Sequence, residues 1–565
     1  MPPSTTTQQP PHTSSTPRRR IVIVVVGPRG DVQPYCILGQ ALTARGYDVT
    51  IATEARLKAL VTAEFGLPFA PIAGDVFGGL FDIEFQHRFR VARSMKCLEM
   101  LTEWNDRFNI DDVLASYVSA LAGADVVVCG GVLSIAQTYS VAEKHGLKWV
   151  PLFLGTCPLP TNEFPHWVLA GVPFGFLCSN HWSHSIVASK GWLQQRKHIN
   201  KWRRHTLGLP PITSPLGIVH AMQTNDNITI YNASSLLLCG PKRQVPADYP
   251  PHKVVYGGFL FPTTTASPPA TIPPASTTMA NINSSSGSRY NPPPKQQHPG
   301  SSTSLQRFLK TRTTLPVIYI GFGEMPTMEP LPLLQLALHV CHAVKCRAVV
   351  AASWAEFMPP PSPRLWLFPQ MSCIVHHGGF STTTIALRSG VPQIPCPVIM
   401  DQFHHANNMV ALGVAPAVVH KGSLYGSYVA KLVTQVLRND RNIQTTAKDL
   451  GKFVNTESFD NTDRFCDWVV AAPPTFASPP SEQQSDGVLV AQRGHDRRMP
   501  CPPAGPDTTP ALPPLLRTTT HGQHSPADSA SATPHSPTVE THLQQPNHTA
   551  SLEPATHTIA TNAAF

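Results

Sequence analysis

Asp31 lies in a glycine-punctuated segment, Gly27–Pro34 (GPRGDVQP), directly after the apolar β-branched run Ile21–Val26. Such a run is typical of a parallel strand buried on both faces, and its carboxyl end opens onto a loop. A carboxylate on that loop can accept a proton from a substrate hydroxyl, while Gly27 and Gly30 let a ligand approach the backbone. The alternative is that Asp31 only caps the following helix. Spacing alone leaves both interpretations open.

A second pair of glycines lies in the segment 375–384 (VHHGGFSTTT), between a short apolar strand and a helix. The free N–H groups and the positive end of the helix dipole can bind an anion there. The hydroxyls of Ser381 and Thr382 add donors, and His376 could donate to a phosphate oxygen. The segment is not a P-loop, since no Gly-Lys-Ser/Thr follows. An ordinary glycine turn before a capped helix is the alternative.

Asp401 and Gln402 stand side by side at the start of a predicted helix. A carboxylate next to an amide suits hydrogen bonding to sugar hydroxyls, although an acidic residue at a helix N-terminus is also common. His404 and His405 follow, but without a Cys or Glu partner at suitable spacing we do not expect a metal site.

Two long segments, 21–261 and 304–470, carry the alternation of strands and helices that must position these residues. We predict an α/β fold with two Rossmann-like, doubly wound domains facing a cleft, where ligands bind beyond the carboxyl ends of the strands. The predicted strands are Ile21–Val26, Asp48–Thr53, Asp125–Cys129, Trp149–Leu154, Leu236–Cys239, Val254–Tyr256, Val317–Ile320, Arg347–Ala352, Cys373–Val375 and Gln393–Pro395. The predicted helices include Pro34–Arg45, Ile135–His145, Lys190–Leu207, Leu331–Lys345, Ser381–Ser389 and Asp401–Leu412.

The proline distribution separates the rest of the chain from these two segments. Of the 59 prolines among 565 residues, 30 fall in the stretches 1–20, 262–303 and 471–565, which are also rich in Ser and Thr. Such composition cannot bury enough apolar surface to fold. We therefore predict a disordered leader, a disordered linker between the two domains, and a disordered tail.

Charge and cysteine content exclude several classes of protein. The net charge of +9 comes without a basic stripe or a known reader motif, so a nucleic-acid partner is not expected. Twelve cysteines without any C-x-x-C pair are typical of reduced thiols in a reducing compartment. The apolar run after Arg20 is too short for a signal peptide or a membrane span. We expect a cytoplasmic protein and leave peripheral membrane contact open.

Several motifs, in one order, resemble the sterol 3β-glucosyltransferase group of the UDP-glycosyltransferases, which have the two-domain GT-B fold. The resemblance covers about 21–261 and 304–425. The motifs are GPRGDVQP, TNEFPHW at Thr161–Trp167, INKWRRHTLGLPP at Ile199–Pro211, YIGFG at Tyr319–Gly323, WLFP at Trp366–Pro369, HHGG, and Asp401-Gln402.

The resemblance implies an inverting transfer of a hexose, with glucose expected, from a UDP-sugar to the 3-hydroxyl of a sterol or similar lipid. Asp31 would be the catalytic base, supported by the loop residues Gly27, Arg29 and Gly30. No metal and no cofactor are implied beyond the UDP-sugar co-substrate. The implied donor-binding residues are Gly323, Trp354, His376, Gly378, Gly379, Ser381, Thr382, Asp401 and Gln402. From position, Phe77, Phe81, Phe164 and Trp167 are expected to line the acceptor pocket.

Three features differ from the family pattern. Glu324 stands where a Ser is usual, Phe380 replaces a small residue, and only 11 residues separate Trp354 from Trp366, so that a strand of the donor sheet is expected to be missing. These differences motivate a second hypothesis, in which the chain is a catalytically inactive relic of the fold that binds a lipid or a partner.

Overall fold

The computed structural model describes residues 18–92, 94–155, 157–171, 179–234, 238–240, 242–262, 301–311, 313–323, 325–351, 363–458 and 460–476. All of them belong to one unit, which contains both sheets. Trp354, Glu324 and most of the predicted leader, linker and tail lie outside the described residues.

The first sheet has seven parallel strands in the order β3-β2-β1-β4-β5-β6-β7. β1 is central because its β-branched residues are buried on both faces, and Ile23 pairs in register with Ile51 on one side and Val128 on the other. The strands are β1 (Arg20–Val25), β2 (Asp48–Glu54), β3 (Phe69–Ile72), β4 (Val126–Gly130), β5 (Lys148–Phe153), β6 (Ile230–Asn232) and β7 (Val254–Tyr256).

Helices connect these strands and cover the two faces of the sheet, as parallel topology requires. They are α1 (Arg29–Ala44), α2 (Ile83–Val91), α3 (Ser94–Asn105), α4 (Ile110–Leu121), α5 (Ile135–His145), α6 (Asn180–Trp202) and α7 (Ile218–Thr224). Among the described helices, none is long and apolar enough to cross a bilayer.

The second sheet contains four parallel strands among the described residues, in the order β11-β10-β8-β9. They are β8 (Val317–Gly321), β9 (Arg347–Ala351), β10 (Cys373–His376) and β11 (Gln393–Pro395). The accompanying helices are α8 (Ser301–Lys310), α9 (Pro330–Val344), α10 (Pro363–Leu367), α11 (Phe380–Ser389), α12 (Gln402–Ala411), α13 (Gly426–Leu437), α14 (Ile443–Glu457) and α15 (Asn461–Ala471).

Two strand predictions for the first sheet differ from the structure. β3 (Phe69–Ile72) was not predicted; it contains Pro71 and lies at the sheet edge, where the missing N–H of proline is tolerated. The sixth strand is Ile230–Asn232, which pairs with Leu152 and Phe153. Of the predicted strand Leu236–Cys239, residues 236 and 237 lie outside the described residues, and Leu238 and Cys239 are buried outside a strand.

The predicted disordered stretches begin and end slightly differently. α8 already begins at Ser301, inside the predicted linker. At the other end α15 reaches Ala471, and the hydroxyl of Thr475 both accepts from Trp149 N–H and donates to Trp149 C=O, at 3.0 Å each. Residues 471–476 therefore extend the folded part beyond the predicted boundary at 470.

Candidate active site

A cavity of about 280 Å³ lies between the carboxyl ends of the two sheets. Its wall combines residues from both halves of the chain, as expected for two doubly wound domains facing each other. Of the predicted site residues, nine line it: Arg29, Gly30, Asp31, Gly323, Gly379, Ser381, Thr382, Asp401 and Gln402. Gly27, His376 and Gly378 are not among the lining residues, and Trp354 lies outside the described residues.

Asp31 lies in the first turn of α1, not on a free loop as predicted. The helix begins earlier than expected, with Pro28 as its N-cap and Pro34 inside it. Asp31 is partly buried and packs against the backbone of Gly27, where an added Cβ would lie 3.1 Å from Asp31 Oδ2. A side chain at residue 27 would therefore crowd the Asp31 carboxylate, which explains why this position is a glycine.

Arg29 forms two hydrogen bonds with Glu64, both at 2.6 Å, in the fork-to-fork geometry of a bidentate ion pair. The resemblance implied that Arg29 supports Asp31 as a loop residue. The structure shows the guanidinium engaged with Glu64, a residue that the sequence did not single out. Arg29 thus ties the start of α1 to the turn that follows β2.

A second arginine holds the turn before α1. Arg56 donates to Gly27 C=O at 3.3 Å, to Glu54 at 2.8 Å and to Asp75 at 2.9 Å. Burial raises the pKa of Glu54 to about 7 despite the adjacent Arg56. This cluster joins the segment preceding Asp31 to the segment at Asp75, from which Phe77 reaches the cavity wall.

His377, and not His376, lies on the cavity wall. His376 is fully buried, and its Nδ1 accepts a hydrogen bond from Gly378 N–H at 3.0 Å, so that Nε2 carries the proton and donates to Gln393 at 2.8 Å. Burial lowers the pKa of His376 to about 4 and that of His377 to about 3. With both ring nitrogens of His376 engaged, the donation to phosphate predicted for it is not available in this arrangement.

The glycine pair after β10 forms a tight turn into α11. Gly378 has φ of 82°, and an added Cβ would lie 3.0 Å from Gln402 C=O, so both conformation and space favour glycine. Gly379 is the N-cap of α11 without a side-chain cap. Gly379 and the first residues of that helix line the cavity, and a helix N-terminus with unpaired N–H groups is the arrangement of an anion site.

The two hydroxyl residues of this turn have partners in the structure. Ser381 Oγ donates a hydrogen bond to Gly30 C=O, across the cleft in the first turn of α1. Thr382 Oγ1 accepts from Arg364 at 2.6 Å. Arg364 and Trp366 both line the cavity, and the sequence did not predict a role for Arg364.

Asp401 is the N-cap residue of α12, and Gln402 is its first residue. Gln402 Oε1 accepts from the backbone N–H groups of Val398 and Ile399, at 2.9 and 3.2 Å. Partial burial raises the pKa of Asp401, and His405 opposes that shift. His405 Nδ1 donates to Gly378 C=O at 2.9 Å, while its Nε2 lies 3.9 Å from Asp401 Oδ2.

The apolar side of the cavity includes two of the four predicted acceptor residues, Phe77 and Trp167. Phe81 instead lies 5.4 Å from the Arg56 guanidinium, and Phe164 packs among buried histidines, 5.5 Å from His404. The departure at Phe380 is accommodated because its ring packs against Phe259, with 5.9 Å between centroids.

Among the described residues, no group of three or more His, Cys, Asp or Glu side chains could hold a metal ion. The described polar wall instead consists of the hydroxyls of Ser381 and Thr382, the amides of Gln306 and Gln402, the carboxylates of Asp31 and Asp401, His377 and two arginines. These groups suit an anionic ligand carrying hydroxyls on one side and an apolar molecule on the other.

Comparisons with known proteins agree with this arrangement. Residues 21–145 match the glycosyltransferase family 28 N-terminal domain, and residues 361–454 match the erythromycin biosynthesis protein CIII-like C-terminal domain. A sterol 3-beta-glucosyltransferase of Yarrowia lipolytica is 27% identical over 456 residues, covering 77% of this chain and 27% of the relative. One of Komagataella phaffii is 26% identical over 452 residues, covering 77% of this chain and 33% of the relative.

The chain thus spans about a third or less of the length of the curated relatives it matches. The solved structure of the glycosyltransferase of kitacinnamycin superposes with a TM-score of 0.52 at 17% identity, covering 81% of this chain and all of that one. That of the calicheamicin glycosyltransferase CalG4 gives 0.50 at 14% identity, covering 81% and 98%. These matches confirm the GT-B fold and the resemblance in sequence to the family 28 glycosyltransferases and the sterol 3-beta-glucosyltransferases.

Proposed function

We propose that the chain is an inverting glycosyltransferase that moves a hexose, glucose, from a UDP-sugar to the 3-hydroxyl of a sterol or similar lipid. One observation carries the proposal: Asp31 and the N-terminus of α11 line the same cavity, and the Ser381–Gly30 hydrogen bond joins them. A base and an anion site must lie this close for a hydroxyl activated by one to reach a sugar held by the other.

The acceptor side is apolar and has Asp31 at its edge. Phe77, Val132, Leu133, Phe153 and Trp167 line the wall contributed by the first sheet. A sterol ring system would bury its apolar surface there, with its hydroxyl directed at the carboxylate. Asp31 would take the hydroxyl proton, and the acceptor oxygen would attack the anomeric carbon as the bond to UDP breaks on the opposite face.

The donor side combines the α11 N-terminus with the loop after β8. We propose that Gly323, Gly379, Ser381 and Thr382 hold the diphosphate, with His377 taking the place predicted for His376. Hydrogen bonds and the helix dipole would stabilise charge on the departing UDP. Asp401 and the free amide end of Gln402 would bind sugar hydroxyls, since the Gln402 oxygen is already used by the backbone.

The same proposal extends to domain roles. Residues 21–261 would form the acceptor domain and residues 301–470 the donor domain, with 471–476 returning to the first domain. A sterol acceptor implies peripheral contact with membranes. The competing hypothesis is a catalytically inactive chain that binds a lipid or a partner, and an experiment has to distinguish it from an active enzyme.

The test uses the full chain, with turnover of UDP-glucose and a dispersed sterol measured by mass spectrometry and UDP-glucose binding by calorimetry. Asp31→Asn should lower turnover by about 10²–10⁴-fold, because a neutral amide cannot accept the proton, and leave UDP-glucose affinity largely unchanged. Asp106→Asn, an exposed acidic residue outside the cavity, is the matched control. Wild-type turnover in Asp31→Asn would refute the base assignment, and a wild type without UDP-glucose binding would favour the inactive hypothesis.

A further inference from the structure

Arg364 is the first lining residue of the cavity on α10, a short helix (Pro363–Leu367) that precedes β10. Its guanidinium donates to Thr382 Oγ1 at 2.6 Å. Thr382 is the third residue of α11 and is 4% exposed, whereas Arg364 is only partly buried. The hydrogen bond therefore fixes one edge of a cationic fork beside the first turn of α11.

The charges of the groups that line the cavity show why the position of Arg364 matters for binding an anion. Two arginines line the cavity, and Arg29 is held in a bidentate ion pair with Glu64. His377, the histidine on the wall, has its pKa lowered to about 3 by burial, and is neutral near pH 7. Arg364 contributes to that lowering and stays charged, since guanidinium groups do not deprotonate in proteins.

The first turn of α11 by itself offers an anion only partial charges. The helix dipole supplies roughly half an elementary charge, and the hydroxyls of Ser381 and Thr382 are neutral. Ser381 Oγ and Thr382 Oγ1 are moreover already engaged with Gly30 and Arg364. A diphosphate carries about two negative charges, so a full positive charge in its reach strengthens binding considerably.

We propose that Arg364 is a donor-binding residue that contacts the diphosphate of a nucleoside diphosphate sugar beside the first turn of α11. The proposal rests on the proposed function and assigns a ligand contact to a residue outside the sequence-predicted site. In the reaction the anomeric C–O bond to the diphosphate breaks and its electron pair stays on the diphosphate oxygen. Arg364 stabilises that charge, while the proton of the acceptor goes to Asp31.

The experiment measures binding of UDP and of uridine, the same nucleoside without phosphates, by calorimetry and competition. Arg364→Gln should weaken UDP binding by about 10- to 100-fold, the range for a lost hydrogen bond to a charged group, and leave uridine binding nearly unchanged. Arg364→Lys keeps the positive charge but lacks the planar guanidinium, so its UDP affinity should lie between that of the wild type and that of Arg364→Gln.

Arg347→Gln is the matched control, because Arg347 is an arginine of the same half whose guanidinium donates to Phe308 C=O at 2.8 Å and is not among the lining residues. UDP affinity should be unaffected there. Circular dichroism and thermal melting show whether each variant is folded.

Failures of the two proposals are distinguishable. If the wild type binds UDP and a folded Arg364→Gln binds it equally well, the Arg364 assignment is wrong while the proposed function stands. If Arg364→Gln loses affinity for UDP and for uridine to the same extent, Arg364 has a structural role and the assignment is also wrong. A wild type that does not bind UDP overturns both proposals.

Discussion

Ser381 Oγ donates a hydrogen bond to the carbonyl oxygen of Gly30, the residue before Asp31. In an α-helix this carbonyl would receive the N–H of the residue four positions later. That residue is Pro34, which lies inside α1 and has no N–H to donate. The proline of the GPRGDVQP segment thus leaves an acceptor in the first turn of α1, and a residue of α11 uses it.

Removing the Ser381 hydroxyl should therefore leave a partly buried carbonyl unsatisfied. We expect Ser381→Ala to lower the free energy of unfolding by about 1–3 kcal/mol and also to weaken UDP binding, since Ser381 is proposed to hold the diphosphate. In a Pro34→Ala background the new N–H can bond to Gly30, so the same substitution should cost less. Urea denaturation of the wild type, the two single variants and the double variant measures this coupling. If Ser381→Ala lowers the free energy of unfolding equally in both backgrounds, the explanation is wrong.

Gly378 should not tolerate a side chain. Gly378→Ala places a Cβ 3.0 Å from Gln402 C=O and requires φ of 82° from an L-residue, which costs about 1–2 kcal/mol in backbone conformation alone. We expect kcat/KM for UDP-glucose to fall because the turn into α11 shifts. Gly422→Ala is the control, since an added Cβ there meets nothing within 4 Å. Similar kinetics for the two variants would argue against a constrained turn.

The protein should lose stability on acidification below about pH 6.5, because five histidines are kept neutral mainly by burial. Their pKa values are lowered from 6.5 to about 3 at His166 and His377 and to about 4 at His184, His376 and His404. Between the folded and unfolded values the unfolded chain binds more protons, so the free energy of unfolding falls as pH falls. Two carboxyl groups act in the opposite sense: burial raises the pKa of Glu54 to about 7 and also raises that of Asp401, but they are fewer than the five histidines.

Urea denaturation near pH 7 and near pH 5 measures this dependence. His184→Gln should show a shallower slope than the wild type, and the exposed His145→Gln should show an unchanged one. Constant or increasing wild-type stability over this range would show that the buried histidines do not control it.

α15 should be held to the first domain by apolar packing and not by its ion pairs. Phe465 is fully buried and packs against Gly257, just after β7, where an added Cβ would lie 2.5 Å from its ring, so Phe465→Ala should cost about 3–5 kcal/mol. Arg45 pairs with Asp463 and Asp467, but both carboxylates are about 70% exposed. Arg45→Ala should therefore cost less than about 1 kcal/mol. If Arg45→Ala lowers the free energy of unfolding more than Phe465→Ala does, in thermal or urea unfolding, this ranking is wrong.

Much of the fold follows from local pattern. The β-branched run Ile21–Val26 and the apolar segments at Asp125–Cys129 and Val317–Ile320 are confirmed as central parallel strands, since only burial on both faces accounts for runs without polar alternation. β3 was not predicted because a strand of four residues that includes a proline shows only a weak β-strand pattern. Leu238 and Cys239, the described part of the predicted strand Leu236–Cys239, are buried without joining a sheet, which an apolar pattern alone does not show.

For the candidate site, residue types and order along the chain were enough to place Asp31, the glycine pair before α11 and the Asp401–Gln402 pair, which all reach one cavity wall or its support. Their roles in binding and catalysis stay predictions. Only the tertiary structure decided that His377 and not His376 faces the cavity, because neighbouring residues at a strand end point to opposite sides and packing selects one. It likewise decided that Ser381 meets Gly30 and that Arg364 meets Thr382, since these contacts join segments 351 and 18 residues apart.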